Sequence, residues 1–339
     1  MFRLIDANLN RISEGLRLLE DVARFILDDA ALSSRLKALR HDLISNTKSF
    51  RTTLLTARDS EGDVTAFTKE SMSRSDVNDV VTANARRVTE SLRVLEEFAK
   101  LPDAGLDAMK FKRARFAIYD IERDLSGKVS RRGKRIAGLY VIIDREALGA
   151  RDEVDACRQA IRGGAKVIQL RDKMQGKPAL LRSATKLKEA CVPSGVPFIM
   201  NDDLDIALAC GADGLHVGQE DIPVSTARRL LPIDKLIGCS TTTAKEALKA
   251  EADGADYIAV GSIYPTKSKS DINVVGLERL KEIREVVSLP IVAIGGISAD
   301  NARNVIDTGA DAVAVISAIL ASDDIEQATR RIAERLEAN

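Results

Sequence analysis

A change of rhythm near Leu139, and a glycine–alanine pair that recurs beyond it, predict an α/β protein: an all-α helical domain followed by a (β/α)8 TIM barrel. Before Leu139 the apolar residues keep helical spacing and no stretch reads as a strand. After it, short β-branched runs alternate with helical stretches, the pattern of β–α units in a parallel sheet. The length of 339 residues exceeds what one hydrophobic core usually fills and argues separately for two domains. We place the all-helical domain at residues 1–126, a linker at 127–138 and the barrel at 139–339.

In the first domain Ile5, Leu9, Ile12, Leu16, Leu19, Ala23 and Ile26 advance by alternating steps of four and three, one stripe of an amphipathic helix. Val81, Ala85, Val88, Leu92, Leu95 and Ala99 make a second stripe. The two segments align without a gap, IDANLNRISEGLRLLEDVARF beside VTANARRVTESLRVLEEFAKL. Asn8 matches Asn84, Arg11 matches Arg87, Glu14 matches Glu90, Arg17 matches Arg93 and Glu20 matches Glu96. Downstream, Arg35-Leu36-Lys37 corresponds to Lys110-Phe111-Lys112. A tandem duplication of a helical hairpin, folded into a small bundle, accounts for both correspondences. Gly62-Asp63 signals a turn between the copies, and the polar stretch Ser71 to Asp79 ends as the cap of the second long helix. Ser126 to Gly138 is small and basic without periodicity, which reads as the linker.

Eight strands are expected beyond it: Tyr140–Ile143, Val167–Leu170, Phe198–Met200, Gly214–Val217, Leu236–Cys239, Tyr257–Val260, Ile291–Ile294 and Ala312–Ile316. Gly164-Ala165, Gly211-Ala212, Gly254-Ala255 and Gly309-Ala310 precede every second one. A glycine there ends the helix in a left-handed conformation and turns the chain into the strand. Eight strands in about 200 residues fit a compact barrel; a doubly wound open sheet is the alternative arrangement of the same units.

Composition narrows the function. Lys and Arg number 51 against 51 Asp and Glu, which argues against a dedicated nucleic-acid binder. No apolar stretch approaches the ~20 residues of a membrane span, and the charged N-terminus is no secretion signal, so a cytoplasmic protein is expected. Cys157, Cys191, Cys210 and Cys239 are widely spaced and read as free thiols. With only His41 and His216 present, a histidine-rich metal centre is excluded; only His216 could serve as a general base, and it lies inside strand four, which places it in or near the core.

In a barrel the active site forms at the carboxyl ends of the strands. Polar clusters stand at the ends of these runs. Gln169, Arg171 and Lys173 follow strand two at alternate positions and therefore share a face. Arginine grips phosphate with a planar fork and lysine adds a mobile charge. Asn201-Asp202-Asp203 ends strand three and Asp221 follows strand four, so two carboxylates, Asp202 and Asp221, can meet at one magnesium ion, which prefers a few carboxylates plus water and phosphate oxygens. Helix capping is the competing reading for Asp203 and Asp221. Ser240 ends strand five facing the ligand, with Thr242 as the cap of the next helix. Thr266, Lys267, Ser268 and Lys269 form a phosphate-suited loop after strand six. Gly295-Gly296 after strand seven and Ile316-Ser317 after strand eight suit a backbone-built phosphate site. Two anion sites on one rim imply two phosphorylated substrates. A barrel isomerase or lyase acting on one phosphosugar is the rival class; it would need a rim base and would release no diphosphate.

QLRDK, NDD, HVGQED, GCST, YPTKSK, IGGI and VIS, from about residue 137 onward, resemble the thiamine-phosphate synthase family. The resemblance implies a magnesium-assisted transferase that joins 4-amino-2-methyl-5-hydroxymethylpyrimidine diphosphate to hydroxyethylthiazole phosphate, giving thiamine phosphate and diphosphate. It implies a dissociative route, with diphosphate leaving before the thiazole nitrogen attacks. It assigns Gln169, Arg171, Lys173 and Asn201 to the pyrimidine diphosphate and Asp202 and Asp221 to magnesium. It assigns Ser240 and Lys269 to substrate oxygens near the reacting centre, making Arg171, Lys173, Ser240 and Lys269 the catalytic set. Thr266, Ser268, Gly296, Ile316 and Ser317 would hold the thiazole phosphate; Ser268 replaces a more usual threonine and keeps the hydroxyl. The first half, through IDANLNRISEGLRLLEDVARF and ARDSEGDV, resembles the helical, non-ribokinase type of hydroxymethylpyrimidine-phosphate kinase. That implies ATP as a further substrate, although no Walker-type glycine loop is present. The alternative is a non-catalytic bundle that pairs copies of the chain into a homo-oligomer; Arg17 and Glu20, three apart, could simply pair on its surface.

Overall fold

The computed structural model describes residues 1–45, 51–58, 73–102, 104–134, 136–266 and 274–337. The chain divides into two compact units, Met1–Gly133 and Lys134–Asn339.

The first unit is helical. Helix α1 (Phe2–Asp21) runs into a π-helical turn at Val22–Ile26 and is followed by α2 (Ala30–Ser45), α3 (Arg51–Thr56), α4 (Val77–Phe98) and α5 (Ala108–Arg132). Both expected stripes are interior: Ile12, Leu16, Leu19, Val81, Val88, Leu92 and Leu95 are all buried. Helices α1 and α4 come close at Gly15, where a β-carbon would lie 2.5 Å from Val88 Cγ2. Asp76 caps α4 by accepting the Asp79 N–H at 2.9 Å, inside the expected polar stretch.

The duplication extends to bonding. Asn8 and Asn84 each donate to the carbonyl four residues back at 2.8 Å. Buried Glu20 takes Arg17 at 3.3 Å and Arg40 at 2.8 Å, while buried Glu96 takes Arg93 at 2.9 Å and Arg115 at 3.1 Å.

The expected linker needs correction. Helix α5 continues through Arg132, so residues 127–132 belong to the bundle and the unit boundary follows Gly133. Gly127 is buried, Val129 packs on the helical core, and Ser130 accepts from Asn78 at 2.9 Å. Arg131 and Arg132 lie in the last turn, where cations complement exposed carbonyls. Basic residues that read as an unstructured spacer are thus a helix terminus. The predicted turn at Gly62-Asp63 lies outside the described residues.

The second unit is a closed eight-stranded parallel barrel in sequence order. Its strands are β1 (Gly138–Asp144), β2 (Val167–Arg171), β3 (Phe198–Asn201), β4 (Gly214–Val217), β5 (Leu236–Thr241), β6 (Tyr257–Gly261), β7 (Ile291–Ile294) and β8 (Ala312–Val315), so the open-sheet alternative falls. Every expected strand is present. The eighth ends one residue early, because Ile316 stands at the N-cap of the short helix Ser317–Leu320.

The four glycines expected to turn left-handed do so, with φ of 104°, 67°, 94° and 116° at Gly164, Gly211, Gly254 and Gly309. Each following alanine N–H bonds the carbonyl five residues back, for example Ala255 to Ala250 at 2.9 Å, which is the Schellman closure. Three of these pairs are followed by aspartate. Asp213, Asp256 and Asp311 each accept the backbone N–H of a residue at the start of β3, β5 or β7, at 2.8–2.9 Å, and each also pairs with a helix cation, Lys188, Arg228 or Arg284.

Strand alternation separates two apolar layers. Leu139, Val141, Ile143, Ile168 and Leu170 face the surrounding helices, whereas Tyr140, Ile142, Val167, Ile199, Leu236 and Tyr257 fill the barrel interior. Gln169, Arg171, Asn201, His216 and Ser240 share the interior parity, so their strands aim them at the barrel axis and its carboxyl-end mouth.

Candidate active site

The β2 end begins the site. Gln169 is 3% exposed and sits between Tyr140 and Asn201. Arg171 donates to Asp144 across the β1–β2 rung where the two residues pair. Asp144 is 4% exposed and also accepts the Ala147 N–H at 3.0 Å, capping the next helix. Buried Asp172 closes the following turn by accepting from Met174 and Gln175 N–H groups at 2.8 and 3.1 Å. Lys173 is carried on that turn, with Nζ 3.7 Å from Asp202.

Asp202 adopts φ +61°, and the Asp203 N–H reaches back to the Asn201 carbonyl at 2.7 Å. This tight three-residue turn is uncommon outside glycine and is anchored by the Asp202 N–H on the His216 carbonyl at 2.8 Å. Burial, then the facing Asp221 carboxyl, pushes the Asp202 carboxyl up to about 6. Two carboxylates held this close favour a cation between them. Among the described residues no group of three or more His, Cys, Asp or Glu is arranged to hold a metal.

Neither capping alternative holds for these acids. Asp203 stands at a helix N-cap without a side-chain cap bond and pairs with Lys177 instead. Asp221 accepts the Gly218 N–H at 2.7 Å and precedes a helix that starts only at Val224. The cap after β5 is Thr243, one residue beyond the expected Thr242, because Thr242 is taken by the Glu246 carboxylate at 2.7 and 3.0 Å.

Across the mouth, Ser240 Oγ lies 3.0 Å from His216 Nε2. Thr266 is half-buried after β6; the expected contacts of Ser268 and Lys269 lie outside the described residues. Gly295 and Gly296 have φ of 102° and 64°. A β-carbon on Gly296 would meet the Pro265 carbonyl oxygen at 2.6 Å, so the β6 and β7 loops approach as closely as they do only with glycine there. Ile316 and Ser317 begin the short helix after β8.

Beneath the mouth runs a hydrogen-bonded chain that sequence reading missed. Gln169 Nε2 donates to Asn201 Oδ1 at 3.0 Å, and the Tyr140 hydroxyl donates to Gln169 Oε1 at 2.6 Å. The Tyr140 and Tyr257 hydroxyls are 3.1 Å apart, and Tyr257 Oη is 3.2 Å from His216 Nδ1. His216, expected in or near the core, is 7% exposed within this chain. Tyr140 and Tyr257 lay inside expected strands and Asp144 one residue past the expected end of the first, where the structure extends β1, but nothing in their spacing names their partners.

In the helical unit Arg58, from the ARDSEGDV stretch, reaches the opening of α1. Arg58 donates to Asp6 at 2.8 and 3.0 Å, and Asn10 donates to Asp6 at 3.2 Å. The aligned positions of the second copy are Thr82 and Arg86, so this cluster, unlike the Glu20 and Glu96 pairs, is not repeated.

Residues 139–319 match the family described as thiamine monophosphate synthase, and residues 3–124 match the ThiD2 family. A thiamine-phosphate synthase from Nostoc sp. is 38% identical over 99% of this chain and 94% of its own length. One from Shouchella clausii is 46% identical over 59% of this chain and 96% of its own. Among solved structures, thiamine phosphate pyrophosphorylase from Pyrococcus furiosus superposes with a TM-score of 0.55 at 40% identity, covering 59% of this chain and 96% of that one.

Proposed function

This chain belongs to the thiamine monophosphate synthase family, a family of transferases, and from that we propose that its barrel joins hydroxymethylpyrimidine diphosphate to hydroxyethylthiazole phosphate, releasing diphosphate. One observation supports the reading: Lys173 lies 3.7 Å from Asp202, which faces the Asp221 carboxyl, and Arg171 stands two residues before Lys173 at the end of β2. Arg171, held in place by Asp144, and Lys173 are the cations for the diphosphate. Gln169 and Asn201 meet the pyrimidine, and Ser240 with Lys269 meets substrate near the bond that breaks. Thr266, Ser268, Gly296, Ile316 and Ser317 take the thiazole phosphate.

The carboxyl pair fits a hard divalent cation: its charge repulsion is relieved by one, and two carboxylates leave coordination positions for water and phosphate oxygens. Asp202 and Asp221 would hold magnesium. Such an ion supplies charge neutralisation for the departing diphosphate. The strained turn at Asp202 aims its carboxyl toward Asp221, and Lys173 supplies charge beside it. Stabilising the leaving group electrostatically is the work this rim is equipped for.

The test is direct. The intact protein with magnesium and both substrates should give thiamine phosphate and diphosphate in equal amounts. Omission of either substrate should abolish both products. Turnover of a single phosphosugar without diphosphate release would sink the reading.

We propose further that the helical unit phosphorylates hydroxymethylpyrimidine phosphate with ATP, supported by its match to the ThiD2 family. The unrepeated Asp6–Asn10–Arg58 cluster is our choice for its ligand-binding face, since packing of a hairpin does not demand it. The intact chain given ATP, magnesium, the pyrimidine monophosphate and hydroxyethylthiazole phosphate should make thiamine phosphate, and Arg58→Ala should lose that activity. The same variant given the pyrimidine diphosphate should retain full activity. A pairing module instead is favoured by the exposed Phe116 and Tyr119 on α5, and it predicts no ATP-dependent product from wild type.

A further inference from the structure

The interior chain from Asn201 to Ser240 has a direction, and hydrogen counting supplies it. Each phenol has one hydrogen. A contact of 2.6 Å suits O–H···O and one of 3.0 Å suits N–H···O, so the Gln169 amide oxygen faces Tyr140 and its nitrogen faces Asn201. Tyr140 has therefore spent its hydrogen on Gln169, and Tyr257 must donate to Tyr140. Tyr257 has then spent its own, so His216 Nδ1 donates to Tyr257. A neutral imidazole with its hydrogen on Nδ1 presents a lone pair at Nε2, and Ser240 Oγ donates there. At the mouth, Ser240 is left as an acceptor. At the other end the bond from Gln169 turns Asn201 Oδ1 inward along the chain, and both hydrogens of its Nδ2 are left to offer.

The arrangement is built into the strands. Gly238 on β5 lies under the Tyr257–His216 contact, and a β-carbon there would fall 2.1 Å from Tyr257 Cζ and 2.5 Å from His216 Nδ1. Burial raises both phenols well above the ordinary range, so both keep the hydrogens that the chain requires.

We propose that this one-way chain selects the pyrimidine edge. Ser240 as acceptor and Asn201 as donor match an aminopyrimidine, whose amino group donates and whose ring nitrogen accepts. They oppose the 4-oxo analogue, whose oxygen accepts and whose ring N–H donates. Tyr140, Tyr257 and His216 touch no substrate in this scheme; they are positioning residues acting through Gln169 and Ser240. The inference rests on the barrel taking the pyrimidine diphosphate, as proposed above.

Two measurements test it. The chain has only two histidines, so nitrogen-15 histidine spectra of the intact protein, assigned with His41→Gln, report His216 alone. We expect its hydrogen on Nδ1 at neutral pH; a hydrogen on Nε2 overturns the direction whether or not the protein turns over. Next, kcat/KM is compared for the amino and 4-oxo pyrimidine diphosphates. Wild type should favour the amino substrate by at least about 100-fold, as sites with committed buried donors and acceptors do. Tyr257→Phe should reduce that ratio at least about tenfold, with KM for the thiazole phosphate unchanged, since an unlinked imidazole can present either face to Ser240. An unaltered ratio in folded Tyr257→Phe overturns the proposal. Should that variant not fold, Tyr140→Phe breaks the adjoining link and the ratio is read there. Wild type inactive with every pyrimidine diphosphate would refute the synthase reading, while the histidine spectrum would still decide the direction.

Discussion

Arg171 and Asp144 face one another where β1 and β2 pair, so the cation assigned to the diphosphate is held by a carboxylate that is 4% exposed. Asp144→Ala should leave the guanidinium free to wander. We expect KM for the pyrimidine diphosphate to rise and kcat/KM to fall about 10- to 100-fold, the usual cost of losing a positioning contact. Asp144→Asn, which still accepts a hydrogen bond, should fall less. Equal activity in Asp144→Ala and wild type would remove Asp144 from the site.

Asp202 should cost the metal-free protein stability. Its folded-state carboxyl titrates at about 6, above the ordinary 3.8, so deprotonation is harder in the folded chain than in the unfolded one. The penalty is absent below about pH 4 and grows as pH rises through 6. Asp202→Asn tolerates the same φ, so in chelator it should unfold later than wild type at pH 7.5, by on the order of 1 kcal/mol, with the difference gone near pH 4. Synthase turnover should fall at least a hundredfold. Thermal melts with parallel assays check both signs.

Asp213 should behave in the opposite sense. It accepts the Phe198 N–H and pairs with Lys188, and its carboxyl lies below the ordinary range, with burial opposing and those two bonds prevailing. A depressed pKa contributes stability above the unfolded value of 3.8 and loses it as pH falls through the lower folded value. Asp213→Ala should lower stability at neutral pH by about 2–3 kcal/mol, with the gap from wild type narrowing below pH 4. This residue sits at the amino ends of the strands, so turnover per folded molecule should be unchanged.

Glu20→Gln and Glu96→Gln should each destabilise the helical unit by a similar amount, about 1–3 kcal/mol, because each buried carboxylate bonds two arginines in equivalent surroundings. Calorimetry of the intact chain would measure this. A large cost at one and none at the other would mean that the duplicated bonding is not shared structural support.

Much of this molecule was readable from the order of its residues. Strand positions followed from short β-branched runs and from glycines whose φ only glycine adopts comfortably, and the α1 and α4 stripes followed from 3.6-residue spacing. The rim assignments at Gln169, Arg171 and Asp202 followed from parity and from the rule that polar clusters gather at strand ends. The linker failed because Ser, Gly, Lys and Arg describe a helix terminus as well as a spacer, and burial of Gly127 and packing of Val129 decided between them.

Periodicity reports which face a side chain takes, since it depends only on backbone geometry. It does not report what stands opposite, since that depends on which strands close together and at what register. Asp144 against Arg171, Asp202 against Asp221, Arg58 against Asp6, and the chain from Asn201 through two tyrosines to Ser240 all join residues distant along the sequence. Those pairings, and with them the charge state of Asp202 and the direction of the interior hydrogen bonds, came into being with barrel closure and helix packing.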